Sequence, residues 1–199
     1  PYKILVVDDE KPIVSLLVNM LEDLYDKEID IKSCTSVADA MTILEKENIL
    51  LVNMPSKFNA ELTKNLALEL ATNLGCYYAQ IPIDESVALT KKQMNNLTIT
   101  SPDNKMSKVL NLSSFAFENI QARDRSARIL SALSSAFGGA FTSNANKAEI
   151  TVGYSTLYGD HAGFLANLGD LWKYYVYELG NYLNEIVYKK PIIPKEVFT

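Results

Sequence analysis

The run K-I-L-V-V at 3–7, closing on Asp8, Asp9 and Glu10, constrains this chain most. It is short, continuous and β-branched, with no alternation of polar and apolar residues. Such a strand is buried on both faces, as in a parallel sheet covered by helices. Residues 11–25 then place Ile13, Leu16, Leu17, Met20, Leu21 and Leu24 on one side of a helix. Pro12 fits its first turn, where a missing N–H costs nothing. I-D-I-K-S-C at 29–34 reads as a second strand. Ser33, Thr35 or Ser36 can cap a following helix bearing Val37, Ala40, Met41 and Leu44.

The alternation continues. Strands are expected near 49–54 and 77–82, with a helix at 60–74 carrying Leu62, Leu66, Leu70 and Leu74 between them. T-I-T-S-P-D-N-K-M-S-K at 98–108 is polar, contains a proline and reads as a surface loop. A helix is expected over about 118–136, a fifth strand at G-A-F-T-S (139–143), and a last helix at 171–187. That helix has an apolar face of Leu171, Tyr175, Leu179, Tyr182, Leu183 and Ile186. P-I-I-P (191–194) ends regular structure.

Charge enters as an exclusion. The net charge is -5 with 22% charged residues, which argues against a general nucleic-acid binder. Cys34 and Cys76 lack metal spacing and read as reduced thiols. No run of 18 apolar residues and no signal-peptide pattern is present, so a soluble, cytoplasmic chain without membrane partners is expected.

Chemistry concentrates between Phe117 and Lys173. A helix opening near Asn119 puts Gln121, Arg123 and Arg125 within two turns of its start. Asn144, Asn146, Lys147 and Glu149 follow a short apolar strand, and Asp160 and Asp170 each follow a glycine. Amide, ammonium and carboxylate groups at strand ends suit an anionic ligand held with a metal ion. The bland alternatives are ion pairs of Arg123 and Arg125 with Glu118 or Asp124, a structural role for His161, and core or dimer contacts for Trp172.

The blocks E-N-I-Q-A-R (118–123), N-K-A-E (146–149), G-Y-S-T-L-Y-G-D (153–160) and G-D-L-W-K (169–173) resemble the NAD synthetases of the ATP-pyrophosphatase group. N-M-P-S-K-F-N (53–59) and L-G-C-Y-Y (74–78) extend the resemblance over about residues 48–199. The resemblance implies a nucleotide and substrate site of Asn53, Pro55, Ser56, Asn119, Arg123, Thr142, Asn146, Lys147, Asp160 and Lys173. Within it, Asn53, Pro55 and Ser56 take adenine and ribose, and Lys147 with Glu149 meets the ATP phosphates and Mg²⁺. Asp160 and Lys173 lie toward deamido-NAD and phosphate. A homodimer is implied too.

The start differs. K-I-L-V-V-D-D-E (3–10) and T-S-V-A-D-A (35–40) resemble the receiver domain of response regulators, which implies Asp8 and Asp9 as a Mg²⁺ pair. The third strand, I-L-L-V-N-M-P (49–55), lacks that family's phosphoacceptor. I-K-S-C-T-S-V-A-D-A (31–40) stands where NAD synthetases carry S-G-G-x-D-S, and it contains no glycine to admit phosphate to the backbone. The expectation is one α/β domain over 1–199: a three-layer doubly wound parallel sheet, hybrid between flavodoxin-like and adenine nucleotide alpha hydrolase-like. Residues 1–46 are its receiver-like segment and 47–199 its NAD-synthetase-like segment. An engineered or rearranged chimera with little or no activity follows. The alternative is a NAD synthetase, amidating deamido-NAD with ammonia and ATP, that retains partial nucleotide binding.

Overall fold

The computed structural model describes residues 2–7, 11–25, 29–34, 48–57, 59 and 61–198. They form two compact units, Pro1–Leu50 with Gly75–Tyr77, and Leu51–Leu74 with Tyr78–Thr199.

In the first unit, β1 (Tyr2–Val7), α1 (Lys11–Tyr25) and β2 (Ile29–Cys34) follow in order. β1 and β2 run parallel, Tyr2 opposite Ile29 and Val7 opposite Cys34. Parallel neighbours need a crossover, and α1 supplies it. Ser33 and Cys34 are therefore strand residues. Asp8, Asp9 and the expected helix through Val37 and Leu44 lie outside the described residues.

β3 (Leu50–Asn53), α2 (Glu61–Leu74) and β4 (Tyr77–Gln80) follow, the two strands paired, and all of them but Leu50 and Tyr77 belong to the second unit. Beyond the strands the pairing continues, as the Ile81 and Ile83 N–H groups donate to the Asn53 and Pro55 carbonyls at 2.8 and 3.1 Å. The constant offset between partners makes this a parallel edge. α3 (Asp84–Met94) has Asp84 and Glu85 in its first turn and Lys91 and Lys92 in its last, each sign matching the helix dipole.

β5 (Leu97–Thr100) and β6 (Ser107–Leu110) then pair antiparallel. This corrects the reading of 98–108 as loop throughout. Only its middle turns: Ser101 donates through Oγ to Asp103 at 2.6 Å, and Asn104 takes a positive φ of 57°. A short polar side chain tolerates that conformation. The flanks L-T-I-T and S-K-V-L carry the β-branched residues a hairpin needs, with every position exposed.

A continuous helical run follows. It consists of α4 (Ser114–Arg123), a π-helical stretch (Asp124–Leu130) and α5 (Ser131–Phe137). Ser113 caps its start by accepting from the Ala116 N–H, and Gly138 ends it at φ 77°. β7 (Thr142–Ser143) is the core of the expected fifth strand, and it pairs parallel with β8 (Leu165–Ala166). Between them lie α6 (Lys147–Val152) and the loop 153–164. α7 (Lys173–Tyr182) passes into a π turn (Leu183–Val187), and the 3₁₀ helix Lys195–Phe198 follows P-I-I-P. Asn184 holds that proline segment by donating to the Ile193 carbonyl and accepting from its N–H.

The architecture is α/β with parallel strand pairs. Among the described residues the pairs are four two-stranded sheets, β1–β2, β3–β4, β5–β6 and β7–β8, not one continuous doubly wound sheet. Among the described residues, the buried apolar side chains of the second unit include Ala71, Ile83, Ala122, Ile129, Ala145 and Ile192. Buried polar residues stand beside it, namely Ser56, Ser126, Ser143, Asn146 and Thr156.

One glycine decides how closely the loop approaches the helix. A Cβ on Gly159 would meet Ala122 Cβ at 2.8 Å and Thr156 Cβ at 3.0 Å. Gly159→Ala is therefore expected to destabilise the protein by about 1–3 kcal/mol through overpacking. Gly139→Ala, where a Cβ meets nothing within 4 Å, is expected to be near neutral. Urea denaturation of both variants beside the parent measures the difference.

Candidate functional site

Three polar clusters of the second unit are tied together by backbone carbonyls. The first lies past β3. Asn53 donates from Nδ2 to the Tyr78 hydroxyl at 3.2 Å. Pro55 and Ser56 are buried, and Ser56 donates from both N–H and Oγ to Asn59 Oδ1 at 2.8 and 3.0 Å. The Lys57 N–H donates to Asp84 Oδ1 at 3.1 Å, which fastens this turn to the start of α3.

The second cluster joins the helical run to the loop 153–164. Asn119 accepts from Thr156 Oγ1 at 2.6 Å. Arg123 donates from Nε to the Leu157 carbonyl at 3.1 Å. Ser126, buried in the π stretch, donates to the Gly159 carbonyl at 2.8 Å. Asp160 is exposed; its Oδ2 accepts from the Thr156 N–H at 3.3 Å.

The third cluster surrounds the start of α6. Asn146 Oδ1 accepts from the Ala148 and Glu149 N–H groups, while Glu149 Oε2 accepts from the Asn146 N–H at 2.9 Å. This reciprocal capping box satisfies donors that a helix start otherwise leaves open. The Lys147 N–H donates to the Leu171 carbonyl at 2.9 Å, bringing the start of α7 alongside. The Lys147 ammonium lies 5.4 Å from the Trp172 ring centroid, and that of Lys173 lies 5.8 Å from the Tyr177 ring. Thr142 donates to Asn144 Oδ1 at 3.1 Å. Ser143 Oγ donates to the Asp160 carbonyl at 2.9 Å, linking the second and third clusters.

Of the expected residues, Asn119 and Arg123, both on α4, bond the loop that carries Asp160. Asn146, Lys147 and Glu149 gather at one cap, with Lys173 adjacent. Asn53, Pro55 and Ser56 share the strand-end turn. Asp8 and Asp9 lie outside the described residues. Glu149 has its capping role whatever else it does, and among the described residues no three His, Cys, Asp or Glu side chains group as metal ligands.

The sequence reading grouped Arg125 with Arg123 at the helix start but left it out of the nucleotide and substrate site, took Asp124 only as an ion-pair partner, and did not single out Ser126. Arg125 donates from Nε to the Met54 carbonyl at 3.1 Å, joining the first cluster to the helical run. Asp124 takes both Arg128 Nε and Nη2 at 2.7 Å, and Ser86 Oγ at 2.7 Å. The available signal was A-R-D-R-S, a dense alternation of charge and small residues that ordinary helical periodicity leaves unexplained. Burial raises the Asp124 pKa, but hydrogen bonds from Arg128 and Ser86 and the charges of Arg128 and Arg125 prevail, so it falls below 3.8.

The family model described as NAD synthase matches residues 30–199. The glutamine-dependent NAD(+) synthetase of Synechocystis is 37% identical over 169 residues, covering 85% of this chain and 28% of its own length. That of Aquifex aeolicus is 37% identical over 163 residues, covering 80% of this chain and 26% of its own. The chain thus spans roughly a quarter of the length of these relatives. Among solved structures, a glutamine-dependent NAD+ synthetase from Acinetobacter baumannii in complex with adenosine diphosphate superposes with a TM-score of 0.63. It is 26% identical, and the superposition covers all of this chain and 32% of that one.

These matches overturn the chimera. The expected join lay near residue 46, yet the family model begins at 30 and the Synechocystis match is longer than everything after residue 46. The receiver-like segment, the flavodoxin-like hybrid and the inactivity inferred from them fall with it. The physical reason is that any parallel α/β sheet needs an apolar strand followed by an amphipathic helix, so that pattern does not separate families. No described helix is long and apolar enough to cross a membrane.

Because the Asp124 pKa is lower folded than unfolded, its contribution is present above 3.8 and is lost as pH falls through the lowered folded value. Asp124→Asn should therefore flatten the acid limb of stability. Denaturation midpoints compared at neutral pH and below pH 3.8 check it: the parent should lose more on acidification than the variant.

Proposed function

The chain belongs to the NAD synthase family, and from that premise we propose that it catalyses ATP-dependent amidation of deamido-NAD by ammonia. The deamido-NAD carboxylate attacks the α-phosphorus of ATP and pyrophosphate leaves. Ammonia then attacks the acyl carbon, and AMP departs with the carboxylate oxygen. The observation that carries this reading is the linkage of three polar clusters through Arg125–Met54 and Ser143–Asp160, over the residues that the family resemblance singles out.

Each cluster takes a part. Asn53, Pro55 and Ser56 receive adenine and ribose on the strand-end turn, in the manner of ligands at the carboxyl ends of parallel strands. Arg123 and Lys147 face phosphate oxygens, with Asn119, Thr142 and Asn146 supplying polar contacts; Asn146 has its Oδ1 committed to the cap. Asp160 and Lys173 bind on the deamido-NAD side. Fixed cations near a charge that grows in the transition state lower the barrier without reorganising.

Mg²⁺ fits this donor set through Glu149, whose Oε1 takes no hydrogen bond from a described residue, since Mg²⁺ is commonly held by one or two carboxylates plus substrate phosphates. When bound, it would neutralise phosphate charge. Lys147 rests over Trp172, a contact that holds its ammonium toward the start of α7.

Two copies of the chain are part of the proposal. Tyr175, Leu179, Tyr182 and Ile186 recur at three- and four-residue spacing, and all are exposed. Sedimentation should give twice the mass of one chain, and a single-chain mass at micromolar concentration rules the dimer out.

The test of the reaction mixes the protein with ATP, Mg²⁺, deamido-NAD and ammonia. NAD should accumulate, and Lys147→Ala or Arg123→Ala should slow it on the order of 100-fold. No NAD above a protein-free control, or equal rates in all variants, overturns the reading.

A further inference from the structure

We propose that Arg125 is a positioning residue: its guanidinium fixes the Met54–Lys57 turn against the helical run. The inference rests on the reading of that turn as the adenine and ribose seat.

The hydrogen-bond pattern at the end of β3 makes the need for such a group plain. The carbonyls of Asn53 and Pro55 are taken by the N–H groups of Ile81 and Ile83 on the β4 side. The carbonyl of Met54, between them, points the other way, as alternate residues of an extended strand must. A part-buried carbonyl requires a donor. Arg125 Nε supplies it at 3.1 Å across 71 residues of sequence.

The π-helical stretch aims the side chain. Arg123 and Ser126, three apart, share a face and bond the Leu157 and Gly159 carbonyls. Arg125 lies off that face and reaches Met54. One helical run therefore touches the loop 153–164 with one side and the strand-end turn with another. Burial draws the Arg125 pKa down, while the carboxylates of Asp160, Asp124 and Asp84 draw it up, in that order. Those carboxylates come from the loop, the π stretch and the start of α3, so the guanidinium sits among the elements it would align. Asp84 in turn accepts the Lys57 N–H, closing the turn from its far end.

Arg125 thus sets the seat and does not touch the reacting atoms. Its loss should appear in substrate affinity and local order before it appears in the chemical step. Arg125→Ala is expected to raise KM for ATP about tenfold with kcat nearly unchanged, and Arg125→Lys, which retains charge and one donor, to recover part of that change. Amide hydrogen exchange gives a readout free of turnover. In Arg125→Ala the Ser56 and Lys57 amides should exchange about tenfold faster, while the Val87 amide inside α3 stays as in the parent. Unchanged exchange at Ser56 and Lys57 overturns the proposal, as does uniform acceleration through α3. A fall in kcat at constant KM overturns it also, by placing Arg125 in the chemistry. If the parent itself makes no NAD, the functional reading fails, and the exchange experiment alone decides the role of Arg125.

Discussion

The close approach of the loop 153–164 to the helical run is the constraint on which the site depends. Its centre is the bond from Ser126 Oγ to the Gly159 carbonyl at 2.8 Å. That distance is available only because Gly159 presents no Cβ to Ala122. Two residues whose side chains are small or absent thereby fix where Arg123, Asn119 and Asp160 stand. A hydroxyl and a carbonyl buried together must pair, because each left alone would lose its water without replacement. The contact is thus both close and polar, and such a pairing sets register more sharply than apolar packing does.

The same logic runs through the second unit. Its buried polar side chains each bond a defined partner: Ser143 the Asp160 carbonyl, Thr156 the Asn119 side chain, Asn146 the first turn of α6, Ser56 the Asn59 side chain. Charge follows suit. Asp124 is held below its ordinary range by Arg128, Ser86 and Arg125, and Arg125 remains among three carboxylates despite its burial. A unit stabilised in this way holds loops in place by direction-dependent bonds, and a constellation of groups facing a polyanion requires that.

How much of this was legible depended on range. α1 over 11–25 and α2 over 61–74 were readable because helical periodicity and the residues that stop a helix are local. The residues of the second and third clusters were readable as blocks of polar residues, though their partners were not. The β5–β6 hairpin was missed because Pro102 and Asp103 dominated the window, while pairing of Leu97 with Leu110 is a contact between segments. The π stretch was invisible for another reason: its register is set by Arg125 reaching Met54 and Ser126 reaching Gly159, partners 71 and 33 residues away.

The misread start has the complementary explanation. Strands of parallel α/β sheets draw on a narrow set of residues, so a run such as K-I-L-V-V does not separate one such family from another. Acidic residues at its end satisfy chain solvation as readily as they bind a cation. The glycine-free stretch 31–40 likewise begins inside β2, where Ser33 pairs with Val6 and extended backbone needs no glycine. A short motif whose residues are each demanded by the layer architecture cannot discriminate among families sharing that architecture. Blocks such as E-N-I-Q-A-R and G-Y-S-T-L-Y-G-D discriminate because general packing does not ask for their residues. Asn119, Arg123 and Thr156 serve a polar junction between one helix and one loop, and nothing in a generic parallel sheet requires that junction.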